Sequence, residues 1–456
     1  MMDILYWMDK AMKGPILSEE EFNLTRVIPN VKKLVKAFDI QRDSAEVICT
    51  DDYLADRLFM AAIEFLCQTG IYCDSIHRVI PIEHHEIQAS ITGLPEGAYF
   101  GEGRDRRLFL PRRPGDGRLP WFHTGAGIVS STRDLALSIV EGYGRIDLAN
   151  SISIPAFNLV NGMQVISGSP LELHAAVQSV QAGREALVKS GRPGLPILNL
   201  VSSATTPVST LAASFQAFGL RPSDGWLVDF IAEMKVNFDT LNRLAFLQLI
   251  GGNVGSTALP ILGGYGGGAP GTALLMTAYY LAGMSLLQGD YHLTGPIHFR
   301  YGCSTNRDCL WVFSIVGRAA SRNARYPAIA LGYTANGSAT ARYLYEAAAL
   351  MLACVPAGFP GVQTAHPAKA VIEDGITPLD AQFCIDVACA AARLQPWLAD
   401  HLVRYLLEKY ESSIPSPQPG LRYPESYDLQ IGQPRPEISR LYAQVKDELA
   451  RQGLPL

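Results

Sequence analysis

The sequence lacks the spacings that announce a zinc site. It has no CxxC pair, no HExxH and no HxH. The eight cysteines (Cys49, Cys67, Cys73, Cys303, Cys309, Cys354, Cys384 and Cys389) are scattered. That pattern predicts free thiols in a reducing cytoplasm and no disulfide framework. There is no long basic run and the net charge is −5, which argues against nucleic acid as a partner. No apolar stretch is a confident membrane span. TALLMTAYYLAGMSLLQG and YLYEAAALMLACVPAG are diluted by small residues and read as buried helices. The start, MMDILYWMDKAMKG, has neither a continuous apolar core nor a small-residue cleavage site, so it does not read as a secretory signal.

What the chain does have is bulk. Its 456 residues are 48% hydrophobic and 18% charged, enough for a large core. Residues 1 to about 118 read as a helical and mixed extension, and RRPGDGRLP (112–120) is the best boundary. Beyond it, short apolar runs alternate with helical patterns. Candidate strands are 122–128, 146–153, 195–201, 243–250, 258–265, 295–302, 326–333 and 361–368. Candidate helices are 169–190, 208–218, 223–235, 271–287, 307–320, 338–353 and 378–394. This is the texture of a parallel α/β domain. Eight strands predict a (β/α)8 TIM-type barrel over 119–395, with a helical N-terminal extension (1–118) and a C-terminal helical tail (396–456). The runs at 243–250 and 258–265 lie too close together for strict alternation, so an open doubly wound sheet remains the competitor.

Three segments carry candidate chemistry. Read as a strand, GPIHFRYG (295–302) puts His298 and Arg300 on one face and Ile297, Phe299 and Tyr301 on the other. His292 would precede that strand and lie far from His298, which argues against a shared metal. The alternative for His298 and Arg300 is a buried network that fills the barrel. ILGGYGGGAPGTALL (261–275) reads as strand, glycine loop and helix. Its glycines loosely fit a dinucleotide fingerprint, but they read better as a loop that moves or admits a bulky partner. NLVSSATTPVST (199–210) is rich in hydroxyls, yet has no local base to activate one.

Taken together, GIYCDSIHR (70–78), GEGRD (101–105), SGRPG (190–194), LGGYGGG (262–268) and HLTGPIHFRYGCSTNRD (292–308) resemble the monomethylamine:corrinoid protein methyltransferases of methanogenic archaea. The resemblance runs nearly end to end. It implies a (β/α)8 barrel that assembles as a homo-oligomer, with its site at the strand C-termini. It also implies a separate cognate corrinoid (cobalamin) protein as methyl acceptor, no tightly bound cofactor, and a place in cytoplasmic one-carbon metabolism.

The family's pyrrolysine should fall within SSATT (202–206), most plausibly at Thr205, where a standard residue is written. Family acidic residues align with Pro270 and Gly271, a glutamine aligns with Ala324, and the aspartate of HLDGP is Thr294. Glu233 matches a family glutamate and Tyr326 a family tyrosine. With Thr205 unable to bind an amine covalently, the resemblance implies a pyrrolysine-independent methyltransferase. Its donor would be cationic without a proton, a quaternary ammonium or a sulfonium. Tyr265, Tyr326 and Tyr333 would hold that cation on their ring faces, with Glu233 balancing its charge. Arg300 or His298 would bind any acidic tail. Gly264, Gly266 and Gly267 would face the corrinoid, and no metal is expected. The alternative is a non-catalytic barrel relative that binds a corrinoid protein or a small ligand. A third reading is an unrelated barrel acting on phosphorylated substrates through the 263–268 loop.

Overall fold

The computed structural model describes residues 3–199, 206–214 and 219–456. Eight parallel strands form one sheet: β1 (Trp121–Thr124), β2 (Ser151–Ile152), β3 (Leu198–Asn199), β4 (Gly225–Asp229), β5 (Asn253–Ala258), β6 (Tyr291–Thr294), β7 (Ala328–Ala330) and β8 (Gly361–Gln363). Each pairs with the next in chain order, and β8 returns to β1 through Gly361 opposite Trp121. A bridge between Ile152 and Ile197 joins β2 to β3 and closes the ring. The eight helices that follow the strands are α1 (Arg133–Gly144), α2 (Pro170–Lys189), α3 (Pro207–Ala213), α4 (Phe238–Ile250), α5 (Ala269–Ser285), α6 (Arg307–Asn323), α7 (Ala341–Cys354) and α8 (Pro378–Ala391). The expected (β/α)8 barrel is therefore present, and the open sheet is excluded.

Two expectations fail in opposite directions. Residues 243–250 are helix, the second half of α4. Asn237 caps that helix by accepting from the Thr240 N–H, and Gly251 ends it with φ +64°. Residues 225–229, expected as helix, are strand β4. Trp226 and Val228 face the outer helices while Leu227 faces the barrel axis, so the run is apolar on both faces. The true fifth strand, 253–258, contains Gly255, Ser256 and Thr257 and has too few apolar residues to stand out.

The barrel floor is aromatic. Phe100 and Phe109, from an antiparallel hairpin (Ala98–Phe100 with Arg107–Phe109), pack beneath Trp121 with ring centroids 5.7 and 4.9 Å away. Phe100 also meets Tyr291 edge-on at 5.4 Å. Tyr291 points inward across Gly225 and Gly255. A Cβ on Gly255 would lie 2.3 Å from the tyrosine Cζ, so glycine there is a packing requirement.

The extensions clasp the barrel from outside. Helix α5 is buried on nearly every side, because the helix Asp52–Thr69 covers the face that solvent would otherwise meet. The C-terminal helix Pro436–Arg451 is tied down by a Tyr442 hydroxyl that donates to buried Asp380. Glu448 from the same helix accepts from Tyr345 at 2.7 Å and Tyr405 at 2.5 Å. All eight cysteines are free. Among the described residues, no helix is long and apolar enough to cross a membrane.

We expect Gly255→Ala to lose about 1–3 kcal/mol in denaturant unfolding, the usual range for overpacking a tight core. Adding Tyr291→Leu removes the struck ring atoms and should return part of that loss. Full wild-type stability in Gly255→Ala would contradict this packing.

Candidate active site

Above the aromatic floor several inward positions are polar, beside aliphatic ones such as Leu293 and Leu331. On β1, Trp121 belongs to the floor, and His123, two residues on, sits one layer higher. The His123 ring shares hydrogen bonds with Ser151 Oγ at 2.8 Å and Ser153 Oγ at 3.4 Å. On β8, Gln363 donates through Nε2 to the Gly125 carbonyl at 3.1 Å, leaving Oε1 buried without a partner. His366, three residues further on, is buried with neither ring nitrogen hydrogen-bonded. Its ring stands edge-on to Tyr333 at 4.8 Å. Thr257 of β5 adds another buried hydroxyl without a partner. Burial pushes both His123 and His366 down to about 3, so these imidazoles are neutral. Unpaired buried acceptors and donors in one chamber are what a bound polar guest or ordered water would satisfy.

One carboxylate and one phenol stand at the upper rim of this chamber. Asp229, the last residue of β4, lies 3.4 Å from Arg243 of α4 through Oδ2. Burial raises its pKa and the arginine opposes that rise. The Tyr333 phenol is pushed up to about 12, by burial first and then by the charge of Asp229. Among the described residues, no cluster of three or more His, Cys, Asp or Glu could hold a metal ion.

Glu233 lies in the loop after β4 and is 1% exposed. Its Oε1 accepts from the Ile261 N–H at 3.2 Å, while Oε2 has no partner. Burial pushes the carboxyl up to about 7. Lys235, two residues on, donates to Glu19 at 2.6 Å and lies 5.7 Å from the Tyr265 ring. Tyr265 is 44% exposed on the 263–268 loop. That loop is held by the Gly263 and Gly267 N–H groups, which donate to the Gly267 and Gly264 carbonyls. A Cβ on Gly271 would lie 1.9 Å from the Gly266 carbonyl oxygen, so loop and helix α5 touch backbone to backbone. Gly267 (φ +70°) faces open space.

Several sequence expectations need correction. The barrel strand is 291–294, not 295–302, so His292 sits inside it and its ring meets Ser256 Oγ at 2.7 Å. Gly295 and Pro296 interrupt the ladder. Residues 297–298 then pair with 261–262 in a separate two-stranded sheet. Strand alternation ends at His298, whose ring lies 4.5 Å from that of Tyr301. Arg300 falls in a turn and is exposed, so it shares no barrel-facing side with His298. Tyr326 precedes β7 and lies at the opposite end of the barrel from the strand C-termini. Its hydroxyl donates to the Tyr291 carbonyl at 2.8 Å, and its ring packs on Tyr280. Tyr326 therefore does not line the mouth, whereas Tyr333 reaches the chamber. Thr205 lies outside the described residues.

The sequence reading missed His123, Asp229, Thr257, Gln363 and His366. Alternation along FHT and GVQTAH would have pointed to His123 and Gln363.

The sequence model of the family described as monomethylamine methyltransferase MtmB matches residues 2–454. This chain belongs to that family. Monomethylamine methyltransferase MtmB2 of Methanosarcina acetivorans is 25% identical over 449 residues, covering 98% of this chain and 97% of the relative. The MtmB protein of Methanosarcina mazei matches with the same identity and coverage. The crystal structure of the Methanosarcina barkeri enzyme superposes with a TM-score of 0.95 at 24% identity, spanning 100% of this chain and 99% of that one. A crystal structure titled as the hydroxylamine complex of MtmB superposes equally well. The MtmB fold thus extends over the whole chain, extensions included.

The raised Glu233 pKa has a measurable consequence. Folding lifts this carboxyl from its ordinary value of 4.5 to about 7, so the folded state binds its proton more tightly. The stability that this proton lends is complete below about pH 4.5 and is lost as pH rises through 7. The full shift corresponds to roughly 3 kcal/mol. Glu233→Gln should therefore gain stability relative to wild type between pH 5 and pH 8 in denaturant unfolding. An unchanged difference at the two pH values would show that the carboxyl is not held this way.

Proposed function

We propose that this chain moves a methyl group from a quaternary ammonium or sulfonium donor to the Co(I) of a corrinoid carried by a separate protein, without using pyrrolysine. The observation behind this reading is the full-length family match combined with a chamber whose imidazoles are neutral. The residue written at position 205 is threonine, which offers no imine to capture a primary amine. A permanently cationic donor needs no such capture. Its carbon–nitrogen or carbon–sulfur bond breaks with both electrons staying on the heteroatom, which leaves as a neutral amine or thioether. The new bond to carbon takes its electron pair from Co(I), and no proton changes hands.

In this reading the protein's task is to orient and desolvate the donor. The Tyr333 ring offers a face to a cation, and such contacts contribute about 1–2 kcal/mol when water is excluded. Asp229, paired with Arg243, supplies a negative charge that acts on Tyr333. Glu233 stands further out on the rim with Oε2 free to accept. Neutral His366, Gln363 and Thr257 provide hydrogen-bonding edges without adding charge that would repel a cation. At the rim, the open Gly267 and exposed Tyr265 and Phe299 leave room for a docked corrinoid protein. Gly264 and Gly266 keep the loop low beneath it. We extend the reading to a homo-oligomer working in the cytoplasm.

The test pairs the chain with a reduced corrinoid protein and a panel of methylated donors, following methylation of the corrinoid by absorbance. We expect turnover with at least one quaternary amine or sulfonium and none with monomethylamine. A donor that binds without turnover would favour a non-catalytic relative. Once a donor is found, Tyr333→Leu should lower kcat/KM about tenfold, equivalent to about 1.4 kcal/mol. Asp229→Asn should raise KM more than it lowers kcat. Unchanged kinetics in both variants would remove these residues from the site.

A further inference from the structure

The arginine-rich boundary segment RRPGDGRLP precedes β1, so the fold places it at the far end of the barrel from the strand C-termini. Arg112 hydrogen-bonds to the Val355 and Phe359 carbonyls, in the loop that leads into β8. Ser321 and Arg325 flank the end of α6, before β7. Between these segments lies a cleft of about 750 Å³, at the N-terminal ends of the strands. That volume lies within the usual range for a small-molecule site.

The charge in this cleft is lopsided. Five arginines line it (Arg112, Arg113, Arg118, Arg322 and Arg325) against two carboxylates, Glu96 and Asp116. Asp116 is occupied by Arg118 at 2.5 Å. Arg322 is occupied by Asp52 and Asp56, which reach it from the N-terminal helix. That leaves Arg112, Arg113 and Arg325 facing Glu96 alone. Arg113 and Arg325 are exposed, and their side chains make no hydrogen bond or ion pair to a described residue.

Arg112 is the informative member. It is 3% exposed, and its guanidinium meets only main-chain carbonyls: Val355, Phe359 and Asp116, at 2.8–3.3 Å. Its Nε is buried with no partner. The other buried arginines, Arg318 and Arg243, each meet a carboxylate. A buried guanidinium that forms no ion pair is costly, and burial pushes Arg112 down to about 10 although the Asp116 charge opposes that fall. An anion entering the cleft would offset that cost. Planar guanidinium groups match phosphate oxygens in pairs. The cleft lining also includes the apolar Ile91, Leu94 and Leu110.

We propose that this cleft binds a small phosphorylated ligand of nucleotide size, its phosphate on Arg112, Arg113 and Arg325 and its body against Leu94 and Leu110. The site is separate from the methyl-transfer chamber, and the proposal stands whether or not the donor class above is right.

Calorimetric titration of the full chain with AMP, pyrophosphate and adenosine tests it. We expect saturable binding of AMP at sub-millimolar concentration, weaker binding of pyrophosphate and none of adenosine. The double variant Arg113→Ala/Arg325→Ala should weaken AMP binding at least about tenfold. Both positions are exposed, so the fold should survive, as circular dichroism would check. The proposal is overturned if neither AMP nor pyrophosphate binds, if adenosine binds as well as AMP, or if the double variant binds AMP normally. It is also overturned if the double variant changes the oligomeric state by light scattering, because a second copy of the chain would then be the occupant.

Discussion

The chamber depends on the floor beneath it. Trp121, Phe100, Phe109 and Tyr291 seal the N-terminal end of the barrel, and two glycines make the Tyr291 ring fit. Aromatic side chains bury the most apolar area per residue, so this layer supplies cohesion in few positions. Aliphatic side chains, Leu227, Leu293, Ile329 and Leu331, continue this inward cluster and share the barrel with the polar groups. Gln363, Thr257 and His366 occupy buried positions with polar atoms unpaired, beside a His123 ring held by Ser151 and Ser153. In most proteins such orphans would be a liability.

The outer elements serve the same arrangement. Helix α5 begins straight after the glycine loop, and its backbone touches that loop at Gly266 and Gly271. The position of the rim is thus tied to a helix buried on almost every side. Glu233 is tied to the same unit through the Ile261 N–H. A carboxyl near the mouth, the exposed Tyr265 and the helix beneath them form one rigid assembly at the end of the barrel where strand C-termini converge.

Much of this architecture can be read from the chain itself. Helices α2, α5, α6, α7 and α8 follow from periodicity and from caps such as Ser169, Asn306 and Thr377. The exchange of strand and helix around 225–250 has a physical cause. β4 is apolar on both faces, so Trp226, Leu227 and Val228 show no two-residue rhythm, and α4 is apolar enough to pass for a buried strand. Site positions were harder to read than elements. His298 and Arg300 sit in a conspicuous segment, but Gly295 and Pro296 break the strand, and only pairing with a distant segment shows where it ends. His123 and His366 come from the first and last strands, and their proximity exists only once the ring is closed. The family resemblance carried the fold. It could not say that Tyr326 precedes β7, packed on Tyr280 of α5, while Tyr333 follows β7 and reaches the chamber.

The burial of α5 has a consequence for how the protein is made. Its covering helix, Asp52–Thr69, leaves the ribosome about 200 residues before Ala269 is added. During that interval the helix can meet only neighbouring N-terminal elements such as Ile28–Ala37, and the partner that covers most of its stripe is not yet made. Synthesis therefore passes through a stage at which Leu58, Phe65 and Leu66 are open to wrong contacts. Truncated fragments ending before α5 would leave that stripe uncovered and be sticky rather than inert.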